Sequence, residues 1–165
     1  SLTGDVATGT KILKSASKEV KRTHLELGGK APVIVFDDAN IDEVVEGITA
    51  FGFFNAGQDC TAACRIYASQ KIYDNLVSDL TSSVSNIILN NNDDSKNEIG
   101  PLITKEHLNR VKGFVDNAKS LSHVEITTGG EQIESKGNYF KPTVIAGAKQ
   151  SGGHVSGIAR SCVSP

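Results

Sequence analysis

Six consecutive apolar residues, Ala31 to Phe36 (APVIVF), constrain this chain more than any other segment. Such a run offers no polar side to water, so it reads as a strand buried on both faces, and a strand of that kind needs covering layers. The flanking sequence supplies helices to provide them. After a turn bracketed by Gly4 and Gly9, Thr10 to Val20 sets Ile12, Leu13 and Ala16 at helical spacing among lysines. Asp38 or Asn40 can cap a helix from Ile41 to about Phe54, on which Val44, Val45, Ile48 and Phe51 or Gly52 recur every third or fourth residue, and Gly57 should end it. Tyr73 to Leu89 repeats the pattern with Leu76, Val77, Leu80, Val84 and Ile88, and Lys105 to Ser120 with Leu108, Val111, Val115 and Ala118. Shorter strands are expected in Thr23 to Leu27, around Arg65 to Ala68, in Val124 to Thr127 and in Phe140 to Ile145, while the polar NNNDDSKNE stretch reads as a loop. Helices alternating with strands indicate an α/β architecture with much parallel pairing.

A chain of 165 residues with 38% hydrophobic content supplies one ordinary core and is short for two full domains. Seventeen basic and 19 acidic residues leave a net charge of -2, which gives no field for nucleic acid or an anionic membrane and favours small-molecule or protein partners. No apolar run approaches the ~20 residues of a membrane-spanning helix, and no basic-then-apolar leader opens the chain, so a soluble, cytoplasmic protein is expected. Three cysteines without an export signal argue against a disulfide framework, and Cys60 with Cys64 does not complete a four-ligand zinc site, so no metal is expected. The sequence contains no Met, and its opening residues resemble the middle of a strand-turn-helix unit, so the N-terminus reads as a cut.

Two strings carry groups suited to chemistry at a carbonyl carbon. Cys60 stands in Gly-Gln-Asp-Cys at the junction between a helical pattern and the next element, where backbone amides can favour a thiolate and later hold an oxyanion. The competing reading is a small buried apolar residue, the commoner fate of a lone cysteine. Cys64 reads as packing within Ala-Ala-Cys. Glu26 lies between Leu25 and Leu27, where burial would raise its pKa toward the range of a working base; equally, strand alternation would turn it to solvent with His24. Gly4 and Gly9 ahead of a helix have the form of a phosphate-cradling turn, although two glycines are a weak match, an ordinary turn fits the spacing better, and the Asp5 carboxylate would repel a phosphate.

In combination, these strings resemble the aldehyde dehydrogenase superfamily from Ser1 to about Ala148. They run in order as T-G-x-x-x-x-G, E-L-G-G-K-x-P, N-x-G-Q-x-C-x-A-x-x-R, E-I-G-P-L, then T-G-G and K-P-T-V. The wording RTHLELGGKAPVIVFDDA, with FFNAGQDCTAACRIY and NEIGPLI, is especially similar to aminobutyraldehyde dehydrogenases, which oxidise aminoaldehydes in polyamine breakdown. The resemblance implies a fragment of that fold. Residues 1–53 would close a Rossmann-like coenzyme domain, 54–148 would open the α/β catalytic domain, and 149–165 would be an unrelated tail, the product of a frame shift or a mis-joined exon, with Cys162 an accident.

It further implies that Cys60 attacks the aldehyde to form a thiohemiacetal, that NAD or NADP takes the hydride, and that Glu26 activates the water that hydrolyses the thioester. The Cys60 amide matches an oxyanion donor, Leu27 a backbone contact to the nicotinamide end, and Gly4 and Gly9 the turn beneath the pyrophosphate. Asp5 stands where the family has a serine whose hydroxyl donates to phosphate, and Asp59 is positioned to attract a substrate amine. The family's E-x-F-G-P string and its oligomerisation strand are not found, although the family implies a homo-oligomer. Two other outcomes stand beside this one: esterase activity of the thiol without cofactor, or a non-catalytic α/β module that acts by association.

Overall fold

Two parallel strand pairs, each closed by a helical crossover, organise the chain. The computed structural model describes residues 1–149 and the backbone of residues 156–160. In the first unit, β1 (Leu2–Gly4) pairs with β2 (Leu25–Leu27), Leu2 opposite Leu25 and Gly4 opposite Leu27, and α1 (Val6–Ser17) makes the crossover that a parallel pair requires. Helix α1 begins at Val6, four residues ahead of the expected start at Thr10, so the segment from Gly4 to Gly9 is a strand end and a helical first turn. The cause is Asp5, whose carboxylate caps the helix by accepting from the Thr8 amide at 2.9 Å.

The second unit is β3 (Ala31–Val35), α2 (Ile41–Phe53) and β4 (Ala63–Ala68), parallel again, with Asn40 capping α2 by accepting from the Asp42 amide. The chain then forms α3 (Tyr73–Ser85), α4 (Lys105–Lys119), β5 (Glu125–Thr128), β6 (Val144–Lys149) and β7 (Ser156–Arg160). The larger sheet runs β3-β4-β7-β6-β5, with β7 antiparallel to both neighbours and β5 antiparallel to β6. Parallel pairing is therefore confined to the two crossover units. Residues 156–160 form a strand inside a tail from which no structure was expected; Cys162 lies outside the described residues.

One face of this sheet is covered. Val45, Ile48 and Phe53 from α2 and Leu76, Leu80 and Val84 from α3 pack on Val35, Ile66 and Val144. A second cluster joins Leu102, Leu108 and Val111 under α4. On the other face Ile34 is 65% and Phe36 68% exposed, which corrects the expectation that APVIVF is buried on both sides: α2 and α3 supply one layer and the described residues supply no second one. Phe51 is exposed as well, so Gly52 takes its expected place on the inner face of α2. Helix α3 stops short of Leu89 because Ile88 turns away to bond Glu98, donating its amide to the Glu98 carboxylate at 2.6 Å and accepting from the Glu98 amide. The expected strand at Phe140 starts only at Val144, since the buried Thr143 hydroxyl instead accepts from the Gly130 amide and donates to the Lys141 carbonyl.

Candidate active site

Because β3 and β4 are parallel and start together, Ala31 opposite Ala63, the segments that lead into them lie side by side. Those segments are Glu26 to Lys30 and Asp59 to Ala62. The contact is close: a Cβ added to Gly29 would stand 2.8 Å from the Cys60 carbonyl oxygen, so only glycine fits there. Arg65 reinforces the junction by donating from Nε to the Lys30 carbonyl at 3.0 Å.

This geometry brings Glu26 and Cys60 together. Glu26 is exposed in the middle of β2, opposite Thr3, so of the two readings open for it, burial and a turn to solvent by strand alternation, the second holds. The half-buried Cys60 thiol lies close enough to the Glu26 carboxylate to feel its charge. Its pKa is pushed up from the ordinary 9.0, first by partial burial, then by the neighbouring Glu26 carboxylate and the charge of Asp59; its own backbone N–H opposes them weakly. The turn therefore holds a protonated thiol beside a base, where backbone donors had been expected to favour a thiolate. Cys64 is buried on β4, its Sγ 3.8 Å from the Ala31 carbonyl, and serves packing as expected.

Asp59 braces the same turn, both carboxylate oxygens accepting from the Thr61 hydroxyl at 3.2 and 3.0 Å. Gln58 is a residue that sequence reasoning passed over. Its Oε1 accepts from the Ile103 amide at 3.0 Å and its Nε2 donates to the Asn55 carbonyl at 3.1 Å. No sequence signal announces a partner so far along the chain.

The other expected site residues sit at the start of α1. Gly4 ends β1, and Asp5 spends its carboxylate on the Thr8 amide and hydroxyl, which hold its pKa below the ordinary 3.8. Gly9 is not in a turn; it is a buried helical residue, and a Cβ there would meet the Leu27 side chain at 2.8 Å, so it lets α1 lie against β2. A cleft of about 660 Å³ opens beside these groups, lined by Asp5 and Val6 where α1 starts, by Gly28 and Lys30, and by Ile103, Thr104, Glu106, His107 and Arg110 where α4 starts. Lys30, Arg110 and the two helix starts suit the anionic middle of a dinucleotide, and side-chain-free Gly28 lets a flat ring approach; the carboxylates of Asp5 and Glu106 oppose them. A larger groove of about 780 Å³ lies between α2 and α3 and includes neither Cys60 nor Glu26. Among the described residues no helix is long and apolar enough to cross a membrane, and no cluster of His, Cys, Asp or Glu is placed to hold a metal.

A sequence profile described as "Aldehyde dehydrogenase family" matches residues 1–154, reaching past Ala148, where the likeness was expected to end. The chain is 37% identical to succinate-semialdehyde dehydrogenase [NADP(+)] of Escherichia coli (strain K12), over 88% of this chain and 30% of that protein. It is 34% identical to a betaine aldehyde dehydrogenase of Vibrio vulnificus (strain YJ016), over 94% of this chain and 32% of that one. Among solved structures, betaine aldehyde dehydrogenase from Staphylococcus aureus in complex with NAD+ superposes with a TM-score of 0.80 and 39% identity, covering 87% of this chain and 29% of that chain. An NAD+ complex of aldehyde dehydrogenase from Bacillus cereus gives 0.81 and 33%, with the same coverage. The chain thus spans about 30% of the length of the curated relatives it matches.

Proposed function

Because the chain belongs to the aldehyde dehydrogenase family, we propose that it carries the reacting pair of an NAD- or NADP-dependent oxidation of an aldehyde to its acid, Cys60 as nucleophile and Glu26 as base. One observation carries the reading: the Cys60 thiol lies within electrostatic reach of the Glu26 carboxylate where β3 and β4 begin. A thiol held protonated needs a local acceptor before it can attack. Glu26 takes that proton as sulfur bonds the aldehyde carbon, and the carbonyl oxygen becomes the oxyanion of a thiohemiacetal, to which the Cys60 backbone N–H can donate. A bound nicotinamide supplies the acceptor for the hydride that this carbon gives up. Once Glu26 has released that first proton to solvent, water attacks the thioester left on Cys60 and passes its proton to Glu26, which returns it to the departing thiolate as the acid leaves.

The cofactor-binding residues belong to the same proposal. Asp5 lines the cleft at the start of α1, directly after Gly4, the Leu27 backbone would contact the nicotinamide end, and Gly9 acts by keeping α1 against Leu27. NAD is favoured by the NAD+-bound solved relatives, with NADP the alternative after the Escherichia coli relative's name. The division into a coenzyme part (1–53) and a catalytic part (54–148) is likewise proposed.

Among substrates, we favour an aminoaldehyde such as aminobutyraldehyde, with a place in polyamine degradation, because Asp59 sets a carboxylate one residue from the nucleophile. Aldehyde protection of Cys60 from alkylation measures that preference without cofactor. Asp59→Ala should weaken protection by an aminated aldehyde several-fold more than by a plain one of equal length, by loss of a charge attraction worth about 1 kcal/mol; equal weakening would sink the substrate assignment.

The reacting pair itself is tested by iodoacetamide alkylation of Cys60 against pH, together with turnover of a chromogenic acetate ester with and without NAD. Glu26→Gln removes the anion that raises the thiol pKa, so alkylation near pH 7 should quicken, while ester turnover falls by about a hundredfold or more for loss of the base. Unchanged turnover would refute the role of Glu26, and turnover that persists in Cys60→Ala would refute that of Cys60.

A further inference from the structure

We propose that Gln58 is a positioning residue that ties the cysteine turn to the wall of the cleft beside α4, an inference that rests on the reading of Cys60 as nucleophile. After α2 the chain passes through three successive left-handed residues, Asn55 (φ 50), Ala56 (φ 56) and Gly57 (φ 76). Such backbone is unfavourable for side chains carrying a Cβ, so something must hold it. Gln58 does so from both ends. Its backbone amide and its Nε2 both donate to the Asn55 carbonyl, each at 3.1 Å, and its carbonyl accepts from the Asn55 side chain at 3.0 Å.

Its remaining side-chain atom leaves the turn altogether. Oε1 accepts from the amide of Ile103 at 3.0 Å, 45 residues along the chain. Ile103 precedes Thr104, the N-cap of α4, and both residues line the cleft. Ile103 itself is 80% exposed and anchors nothing; the segment is otherwise held by the buried side chain of Leu102 and by its amide, which donates to the Asn138 carbonyl at 2.9 Å. Beside the packing of Ala56 on the Leu102 cluster, this primary amide is the polar tie between the turn that presents Cys60, two residues further on, and the lip over which a cofactor would lie. Movement of either is felt by the other through a direct bond.

The test compares Gln58→Met, of similar length but without the hydrogen bonds, with Gln58→Glu, which keeps an acceptor for the Ile103 amide. Two readouts are needed: hydrogen exchange at the Ile103 amide and the pH profile of Cys60 alkylation. In Gln58→Met, Ile103 should exchange about tenfold faster, as expected for one lost hydrogen bond, and the alkylation profile should move down toward the ordinary thiol value as Cys60 withdraws from Glu26. Gln58→Glu should restore the protection of Ile103. Fast exchange at Ile103 with an unaltered Cys60 profile, or an Ile103 amide unprotected in the wild type, would overturn the proposal. Failure of the catalytic reading looks different, because then Glu26→Gln itself leaves the wild-type profile where it was. Should Gln58→Met not fold, the same substitution in an Ala56→Gly background, which relieves the left-handed strain, carries the test.

Discussion

A methyl group at Gly29 would probe how tightly the reacting pair is held. The obstacle it meets at 2.8 Å is the Cys60 carbonyl, a backbone atom that cannot swing aside as a flexible side chain would. Gly29→Ala must push the two strand entries apart, so a loss of about 1–3 kcal/mol is expected from overpacking, read as a lowered thermal midpoint. A displacement near 1 Å between Cys60 and Glu26 should also cost about a hundredfold in ester turnover; a variant that melts lower but turns over normally would show that the pair tolerates the shift. At this scale the sequence was informative about identity and poor about state. Cys60 and Glu26 stand out in their strings, but that the thiol is held protonated follows from partial burial and from a carboxylate 34 positions away in sequence, neither of which a string displays. Gln58 was invisible for the same reason, since its defining partner is the Ile103 amide.

The end of α1 carries a second local conflict, between backbone geometry and residue type. The Lys21 amide donates to the Ala16 carbonyl and the Val20 amide to the Ser17 carbonyl, the pair of bonds of a helix terminated by one left-handed residue, and that residue is Val20 at φ 55. A β-branched side chain there pays about 1–2 kcal/mol that glycine avoids, and at 90% exposure Val20 buries nothing in return. After allowance for the greater freedom of glycine in the unfolded chain, Val20→Gly should stabilise by about 0.5–1 kcal/mol, a rise in thermal midpoint of a few degrees; a fall would mean that another contact holds the turn. Helices α2, α3 and α4 were legible because their buried residues keep the helical period. The start of α1 was not, since Asp5 was weighed as a neighbour of phosphate when its nearest obligation is to the Thr8 amide. APVIVF was misjudged on one face because an apolar strand implies two covering layers, whereas only the α2 and α3 side is covered among the described residues.

Across the whole molecule the α/β alternation and the family were readable because order and spacing of strings survive without coordinates, while the antiparallel run β4-β7-β6-β5 was not, since nothing in a strand's own sequence names its neighbour. Charge ties these parts into one pH response. The carboxyls of Asp5, Asp93, Asp116 and Glu131 are held below their ordinary values of 3.8 and 4.5 by Thr8, Ser95, Lys112 and Lys141 respectively, so the unfolded chain binds those protons first; their contribution is present above these values and is lost as pH falls through and below them. His107 acts earlier. Burial, then the charge of Arg110, depresses it below 6.5, and its Nε2 is enclosed without a partner, so stability should begin to fall once pH drops under 6.5. Cys60 has the opposite sign: its raised pKa keeps the proton in the folded state, so stability is full below 9.0 and is lost as pH climbs toward the folded value. Thermal midpoints should therefore form a plateau between pH 6.5 and 9.0 with two separable shoulders. His107→Leu should delay the first acid decline until the carboxyls protonate, and Cys60→Ala should soften the alkaline one; a His107→Leu profile that parallels wild type between pH 6.5 and 4.5 would show that the imidazole is not the group unfolding protonates first.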